Sequence, residues 1–176
     1  MNSSVLSMFL DEDQIHRRIT ELAQELYPQL PPDPIVIGIM NGAFMFTADL
    51  VRALSRLGLR PRMDFITVSS YGSGVARSGK VKILLDSTLN VQGKWVLLLD
   101  DILDSGHTLK TLQRHLIDKG VAELVTAVFL DKPSGRQTPV ACDHVGFSVP
   151  DGFMVGYGLD HAGNHRELPY IARMEI

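Results

Sequence analysis

Cysteine is almost missing from this chain. Cys142 stands alone in 176 residues, so no internal disulfide framework can form and a reducing compartment is expected. No apolar run approaches the roughly 20 residues of a membrane-spanning helix, and no basic segment followed by a long apolar stretch opens the chain. Neither a membrane anchor nor a secretory leader is therefore expected. Positive charge is not in excess either. Lys and Arg number 17 against 20 Asp and Glu, a net charge of −3, which speaks against nonspecific nucleic-acid binding. The common nucleotide loops are missing too. There is no G-x-x-x-x-G-K-[ST] and no G-x-G-x-x-G, so neither a P-loop nucleotidase nor a dinucleotide enzyme is indicated. Repeats and low-complexity tracts are not found. What remains is 45% hydrophobic and 21% charged, an ordinary balance for a soluble globular chain. Its length suits one α/β domain, residues 1–176, with a full core, and a cytoplasmic location is expected.

Periodicity supplies the elements. Asp11 to Leu26 carries Ile15, Ile19, Leu22 and Leu26 at helical spacing, with Asp11 and Gln14 placed as a capping pair. Pro28 and the Pro31-Pro32-x-Pro34 cluster end that helix. The apolar run Ile35 to Met40 reads as a buried strand ending at Asn41-Gly42, and Ala43 to Leu57 reads as a helix with Phe46, Leu50, Leu54 and Leu57 inward. Further strands are predicted at Met63–Ser70, Val81–Leu85, Trp95–Leu99, Leu124–Leu130, Val145–Val149 and Met154–Tyr157, with a helix from Gly106 to Gly120. Strands alternating with helices imply a mainly parallel sheet covered on both faces. Ligands of such sheets bind beyond the carboxyl ends of the strands. Asn41-Gly42, Ser70-Tyr71, Asp100-Asp101 and Lys132 all fall at such ends. The glycine- and serine-rich segment Tyr71 to Lys80 is either a functional lid or a flexible hairpin tip, and composition alone favours the tip.

The richest stretch is Trp95-Val96-Leu97-Leu98-Leu99-Asp100-Asp101-Ile102-Leu103-Asp104-Ser105-Gly106-His107-Thr108-Leu109. A strand delivers two adjacent carboxylates and then a third, followed by a Ser-Gly-x-Thr turn that opens a helix. Free N–H groups at a helix start, a permissive glycine and two hydroxyls suit a phosphate. Carboxylates next to a phosphate make sense if they hold sugar hydroxyls or a divalent cation, or take a proton from a base. Simple N-capping would account for Asp104. It does not account for three acids within five positions at a strand end.

As spelled, Leu97-Leu98-Leu99-Asp100-Asp101-Ile102-Leu103-Asp104-Ser105-Gly106-His107-Thr108-Leu109 resembles the phosphoribosyl diphosphate signature of the type I phosphoribosyltransferases. Ile39-Met40-Asn41-Gly42-Ala43-Phe44, Ser69-Ser70-Tyr71-Gly72, Leu130-Asp131-Lys132-Pro133 and Val149 to Asp160 with Arg166 narrow the resemblance to the hypoxanthine-guanine phosphoribosyltransferases, in that family's order. The resemblance implies a type I phosphoribosyltransferase fold: a mainly parallel central sheet with helices on both faces, a flexible lid near residues 70–80, and a small hood formed by the N-terminal segment and residues 144–176. It implies transfer of the 5-phosphoribosyl group from phosphoribosyl diphosphate to hypoxanthine or guanine, giving IMP or GMP, with Mg²⁺ as cofactor and a homodimer or homotetramer as the assembly.

The site roles below are what the resemblance implies. Asp100 and Asp101 would contact the ribose hydroxyls, directly or through Mg²⁺, and Asp104 would handle the proton on purine N7. Ser105, Gly106, His107, Thr108 and Leu109 would cradle the 5-phosphate. Met40, Asn41 and Gly42 would form the diphosphate loop, with a cis Met40–Asn41 peptide, and Ser70 and Tyr71 would start the lid. Lys132 would donate to purine O6, favouring a 6-oxo base because an ammonium only donates. Phe153 would stack on the base and Met154 would meet its edge through backbone atoms. Asp160 would anchor the metal through water and stand beside the purine subsite, and Arg166 would pair with the diphosphate.

The sequence departs from the family pattern in four places. Asp100 is commonly Glu, Ser105 is often Thr, and His161 and His165 stand where tyrosine or phenylalanine is common. A xanthine-preferring or orotate-type transferase, a sugar-diphosphate synthetase subunit and a nucleotide-sensing RNA-binding regulator are the competing readings. The absence of a basic excess and the presence of Asp104 weigh against the regulator, and no ATP site is found for the synthetase.

Overall fold

In the computed structural model, residues 5–70 and 81–175 are described; Tyr71 and the rest of the expected lid lie outside them. Six strands form the main sheet: β2 (Ile35–Met40), β3 (Arg62–Ser70), β4 (Val81–Leu85), β5 (Trp95–Leu103), β6 (Glu123–Asp131) and β7 (His144–Ser148). Their spatial order is β4-β3-β2-β5-β6-β7, parallel throughout except that β4 runs antiparallel to β3. Strands β2, β5 and β6 are nearly all apolar because each is covered on both faces.

Helices α1 (Glu12–Leu26) and α2 (Phe44–Arg56) cover one face. The capping box expected of α1 is present: Gln14 N donates to Asp11 Oδ1 at 2.7 Å, and Asp11 N donates to Gln14 Oε1 at 2.9 Å. Ile15, Ile19, Leu22 and Leu26 of α1 and Phe46, Leu50 and Leu54 of α2 bury themselves against Leu97, Leu99, Ala127 and Phe129. Burying each such side chain stabilises the fold by about 1.5–3 kcal/mol. Leu57 departs from expectation. It follows the last turn of α2 and is 37% exposed, since the helix ends one residue before it could turn inward.

Helix α3 (His107–Asp118) covers the opposite face. Its Leu109, Leu112 and Leu116 pack on Ile35, Ile37, Ile39, Val96, Leu98 and Val128. A second, antiparallel sheet joins the two ends of the chain, with β1 (Leu6–Leu10), β9 (Ile171–Met174) and β8 (Phe153–Val155) in that order. The sequence reading did not predict β1 or β9. Each is short and is held by its neighbour more than by any apolar period of its own. No helix among the described residues is long and apolar enough to cross a membrane.

This topology sets where a ligand can sit. From β2 the chain passes through α2 to β3 on one side, while from β5 it passes through α3 to β6 on the other. β2 and β5 are therefore neighbours whose connections diverge, and the crevice opens beyond their carboxyl ends.

Candidate active site

A cleft of about 320 Å³ occupies that crevice, lined by Met40, Gly42, Asp100, Asp101, Asp104, Ser105, Thr108, Asp160 and Arg166 among others. Strand β5 runs four residues further than predicted, so Asp100 and Asp101 lie within it rather than after it. Period-two alternation puts Asp101 on the side of Leu97 and Leu99, towards the start of α2. Asp100 falls on the side of Val96 and Leu98, under α3. Asp101 and Gly42 are in close contact: a Cβ added at Gly42 would stand 1.6 Å from Asp101 Oδ2. Only glycine leaves room for that carboxylate.

Asp100 is only 5% exposed. Burial, then the adjacent Asp101 carboxylate, pushes its carboxyl well above the usual range. Burial raises Asp101 as well, with Arg166 among the groups that oppose the rise. A buried Asp100 beside a half-buried Asp101, with Arg166 as the cation lining the same cleft among the described residues, leaves the site acidic. No cluster of three His, Cys, Asp or Glu that could hold a metal occurs among the described residues. Asp100 and Asp101 nonetheless offer adjacent carboxylate oxygens to the cleft, donors of the kind that suit Mg²⁺ when water and substrate oxygens complete its shell.

Beyond Leu103 the chain leaves the sheet through Asp104 and Ser105. Gly106 adopts φ 89°, a left-handed conformation suited to glycine, and α3 begins at His107. Asp104 does not cap α3: the N-cap position is Gly106, and the first helical N–H, that of His107, donates to Ser105 Oγ at 3.4 Å. Its carboxylate is 47% exposed and lies 3.8 Å from Lys132 Nζ. That ammonium also donates to Gly152 O at 3.3 Å and lies 3.6 Å from Asp151 Oδ1. Phe153, 39% exposed, stands beyond it at the start of β8, while the Met154 side chain is buried in the core.

Arg166 pairs with Asp160 Oδ1 at 2.7 Å and donates to Gly158 O at 2.6 Å. The Met40–Asn41 peptide is cis. The cleft lining thus gathers Met40, Gly42, Asp100, Asp101, Asp104, Ser105, Gly106, Thr108, Leu109, Asp160 and Arg166, while Lys132 adjoins it at Asp104 and is tied through Gly152 O to the strand start that carries Phe153 and Met154. Asn41 lies between two lining residues without lining the cleft itself. The His107 side chain faces elsewhere, with Nδ1 3.0 Å from Thr138 Oγ1, so only its backbone borders the turn. Ser70 ends β3, and Tyr71 lies outside the described residues.

Sequence reasoning missed Gly135 and Arg136, which support the turn from behind. A Cβ at Gly135 would stand 1.6 Å from Asp104 Oδ1. Arg136 donates to the carbonyls of Leu103 and Asp104. The available signal was the charged residue four positions beyond Lys132, on a short connection after a strand.

Comparison with known proteins agrees with this arrangement. A family model described as the phosphoribosyl transferase domain matches residues 6–162. The hypoxanthine-guanine phosphoribosyltransferase of Aquifex aeolicus is 45% identical over 172 residues, covering 97% of this chain and 95% of that protein. The hypoxanthine phosphoribosyltransferase of Escherichia coli is 40% identical, covering 96% and 95%. The structure of Trypanosoma cruzi hypoxanthine phosphoribosyltransferase in complex with the product IMP superposes with a TM-score of 0.89 at 38% identity, covering 99% of this chain and 96% of that one. The chain is an α/β protein of the type I phosphoribosyltransferase fold and belongs to the hypoxanthine-guanine phosphoribosyltransferase family.

Proposed function

We propose that this enzyme moves the 5-phosphoribosyl group from phosphoribosyl diphosphate to N9 of hypoxanthine or guanine, forming IMP or GMP and diphosphate. One observation carries the choice of base. Asp104 and Lys132 present an acceptor and a donor 3.8 Å apart beyond the phosphate turn. A 6-oxopurine offers the complement on one edge, a proton at N7 beside an acceptor at O6. Adenine, with an amino group there, would face an ammonium that cannot accept.

The remaining residues take consistent roles. The N–H groups and hydroxyls from Ser105 to Leu109 hold the 5-phosphate, as helix starts do. Asp100 and Asp101 hold the ribose hydroxyls and, with Asp160, would hold Mg²⁺. When bound, the cation would supply positive charge to offset that of the leaving diphosphate. Arg166 turns to the same diphosphate, and the backbone of Met40, Asn41 and Gly42 borders it. Phe153 stacks on the purine and Met154 meets its edge through backbone atoms. As N9 attacks the sugar carbon, Asp104 takes the N7 proton, a contribution of about 10²–10⁴-fold for a positioned base. A cytoplasmic homodimer or homotetramer, with a hood made by the N-terminal segment and the last thirty or so residues, completes the reading.

The test offers the purified protein hypoxanthine, guanine, xanthine, adenine and orotate in turn, each with phosphoribosyl diphosphate and Mg²⁺. Transfer to hypoxanthine and guanine, and none to adenine, is expected. Transfer to adenine or orotate in preference would overturn the assignment of Lys132, and transfer to no base would overturn the enzyme reading.

A further inference from the structure

Arg136 touches no expected substrate atom, yet it is bound to the turn that would hold the sugar phosphate. Its Nη1 donates to Leu103 O at 2.9 Å and to Asp104 O at 2.7 Å, and its Nη2 pairs with the Asp131 carboxylate. The next carbonyl, Ser105 O, accepts from Gln137 N and Thr138 N, each at 3.0 Å. Lys132 N also donates to Leu103 O at 3.0 Å. Three successive carbonyls are thus pinned to one side, against residues 132–138.

The trans peptide makes this consequential. In each unit the C=O and the following N–H point in opposite directions. The one cis bond among the described residues is Met40–Asn41. Pinning the carbonyls of Leu103, Asp104 and Ser105 therefore turns the N–H groups of Asp104, Ser105 and Gly106 the other way, towards the cleft that Asp104, Ser105 and Gly106 line. None of these three N–H groups has a protein acceptor among the described residues. A guanidinium on the carbonyl side also polarises the peptides so that their N–H groups become better donors.

We propose that Arg136 is a positioning residue for the 5-phosphate: it sets the anion-binding N–H groups in place before substrate arrives, and Asp131 holds its guanidinium in plane. The proposal rests on the phosphate-turn reading above. It also explains a shape. Asp131 precedes Lys132, so one ion pair ties the segment bearing the O6 donor to the segment bearing the phosphate donors. The spacing of the base and phosphate subsites is fixed from behind the chemistry.

A positioned cradle and a merely stable fold differ in which ligand suffers. The measurement is titration calorimetry of ribose 5-phosphate, which needs the turn, and of diphosphate, which does not, against wild type, Arg136→Gln and Arg136→Lys with Mg²⁺ present. Losing a charged donor from two carbonyls is expected to weaken ribose 5-phosphate by roughly 10–100-fold in Arg136→Gln. Diphosphate affinity should stay unchanged. Arg136→Lys keeps the charge and one of the two contacts, so an intermediate loss is expected. If Arg136→Gln fails to fold, Arg136→Lys carries the test through steady-state kinetics: a raised KM for phosphoribosyl diphosphate with the KM for hypoxanthine unmoved. Equal ribose 5-phosphate affinity in mutant and wild type overturns the proposal, as does an equal loss for both ligands. A wild-type protein that does not bind ribose 5-phosphate would instead remove the phosphate-turn reading on which it stands.

Discussion

The half of the cleft proposed to hold the anion and the half proposed to face the base are made in different ways. From Leu103 to Leu109 the binding groups are mostly main-chain, belong to one unbroken stretch, and are fixed by hydrogen bonds on their far side. The base-facing half relies mostly on side chains. Lys132 follows β6, Phe153 begins β8 and Asp160 follows the turn after it, so three separate loops must arrive together. Peptide groups held at both ends reorganise little when a charge arrives, whereas an ammonium on a four-carbon stem must be held by its neighbours. Lys132 has such neighbours in Gly152 O, Asp104 and Asp151. One half thus depends on backbone conformation and the other on a few polar contacts, and substitutions should separate them.

The largest separation should come from Asp104→Asn. It preserves size and the main-chain turn but removes the proton acceptor. Transfer to hypoxanthine should fall by about 10²–10⁴-fold. Ribose 5-phosphate affinity should hold, and a kcat within a few-fold of wild type would defeat the base assignment. Next comes Lys132→Gln, whose amide can accept as well as donate. Loss of a charged hydrogen bond should reduce hypoxanthine kcat/KM by roughly 10–100-fold and raise adenine relative to it. An unchanged ratio of the two bases would show that O6 is read elsewhere. Gly106→Ala strikes the other half. A non-glycine residue at φ 89°, with its Cβ 2.6 Å from Thr138 O, strains the turn. The cost should be about 1–3 kcal/mol, visible as a Tm lower by several degrees together with weaker ribose 5-phosphate binding. A Tm and affinity equal to wild type would mean that the turn relaxes freely.

The same contrast explains what could be read from the amino acids. The anion-holding half was legible because its residues are contiguous and their order states a strand, a turn and a helix start. The β2 boundaries Ile35–Met40 and the α1 cap followed from apolar runs and from Asp11 with Gln14, which are local signals. Lys132 stood out by its place at a strand end, but its role and those of Phe153 and Met154 came only through resemblance, because nothing near Lys132 or Phe153 states that they meet. β1 and β9 were missed since a five-residue and a four-residue strand owe their form to each other across nearly the whole chain. Leu57 was placed inward by helical periodicity that the helix end cut short. Arg136 was overlooked because its partners are carbonyls, and a carbonyl leaves no mark on the side-chain pattern.

Two acids of the same sheet sharpen the comparison at its smallest scale. Asp64, on β3, is half-buried against the residues after β4. Burial alone would raise its carboxyl, but hydrogen bonds from Phe65 N, Thr88 N and the Ser87 and Thr88 hydroxyls overcome that and bring it to about 2. Asp100, in the cleft, moves the other way, raised by burial and then by Asp101. The signs of their contributions to stability are therefore opposite. The Asp64 contribution is fully present above the unfolded carboxylate range near pH 4 and is lost as pH falls towards about 2. Asp100 holds its proton more tightly folded than unfolded, so it favours the fold most in acid and less as pH rises above that range. Asp64→Asn should therefore lower the unfolding midpoint at neutral pH and flatten the acid limb. Asp100→Asn, in the metal-free protein, should raise the midpoint at about pH 8 by a few degrees, because it removes a buried charge that the hydrogen bond from Asp101 N offsets only in part. Urea and thermal melts across the pH range measure both. An Asp100→Asn midpoint no higher than wild type in that alkaline range would mean that the free cleft already compensates the pair, and that the cation is not what these two acids await.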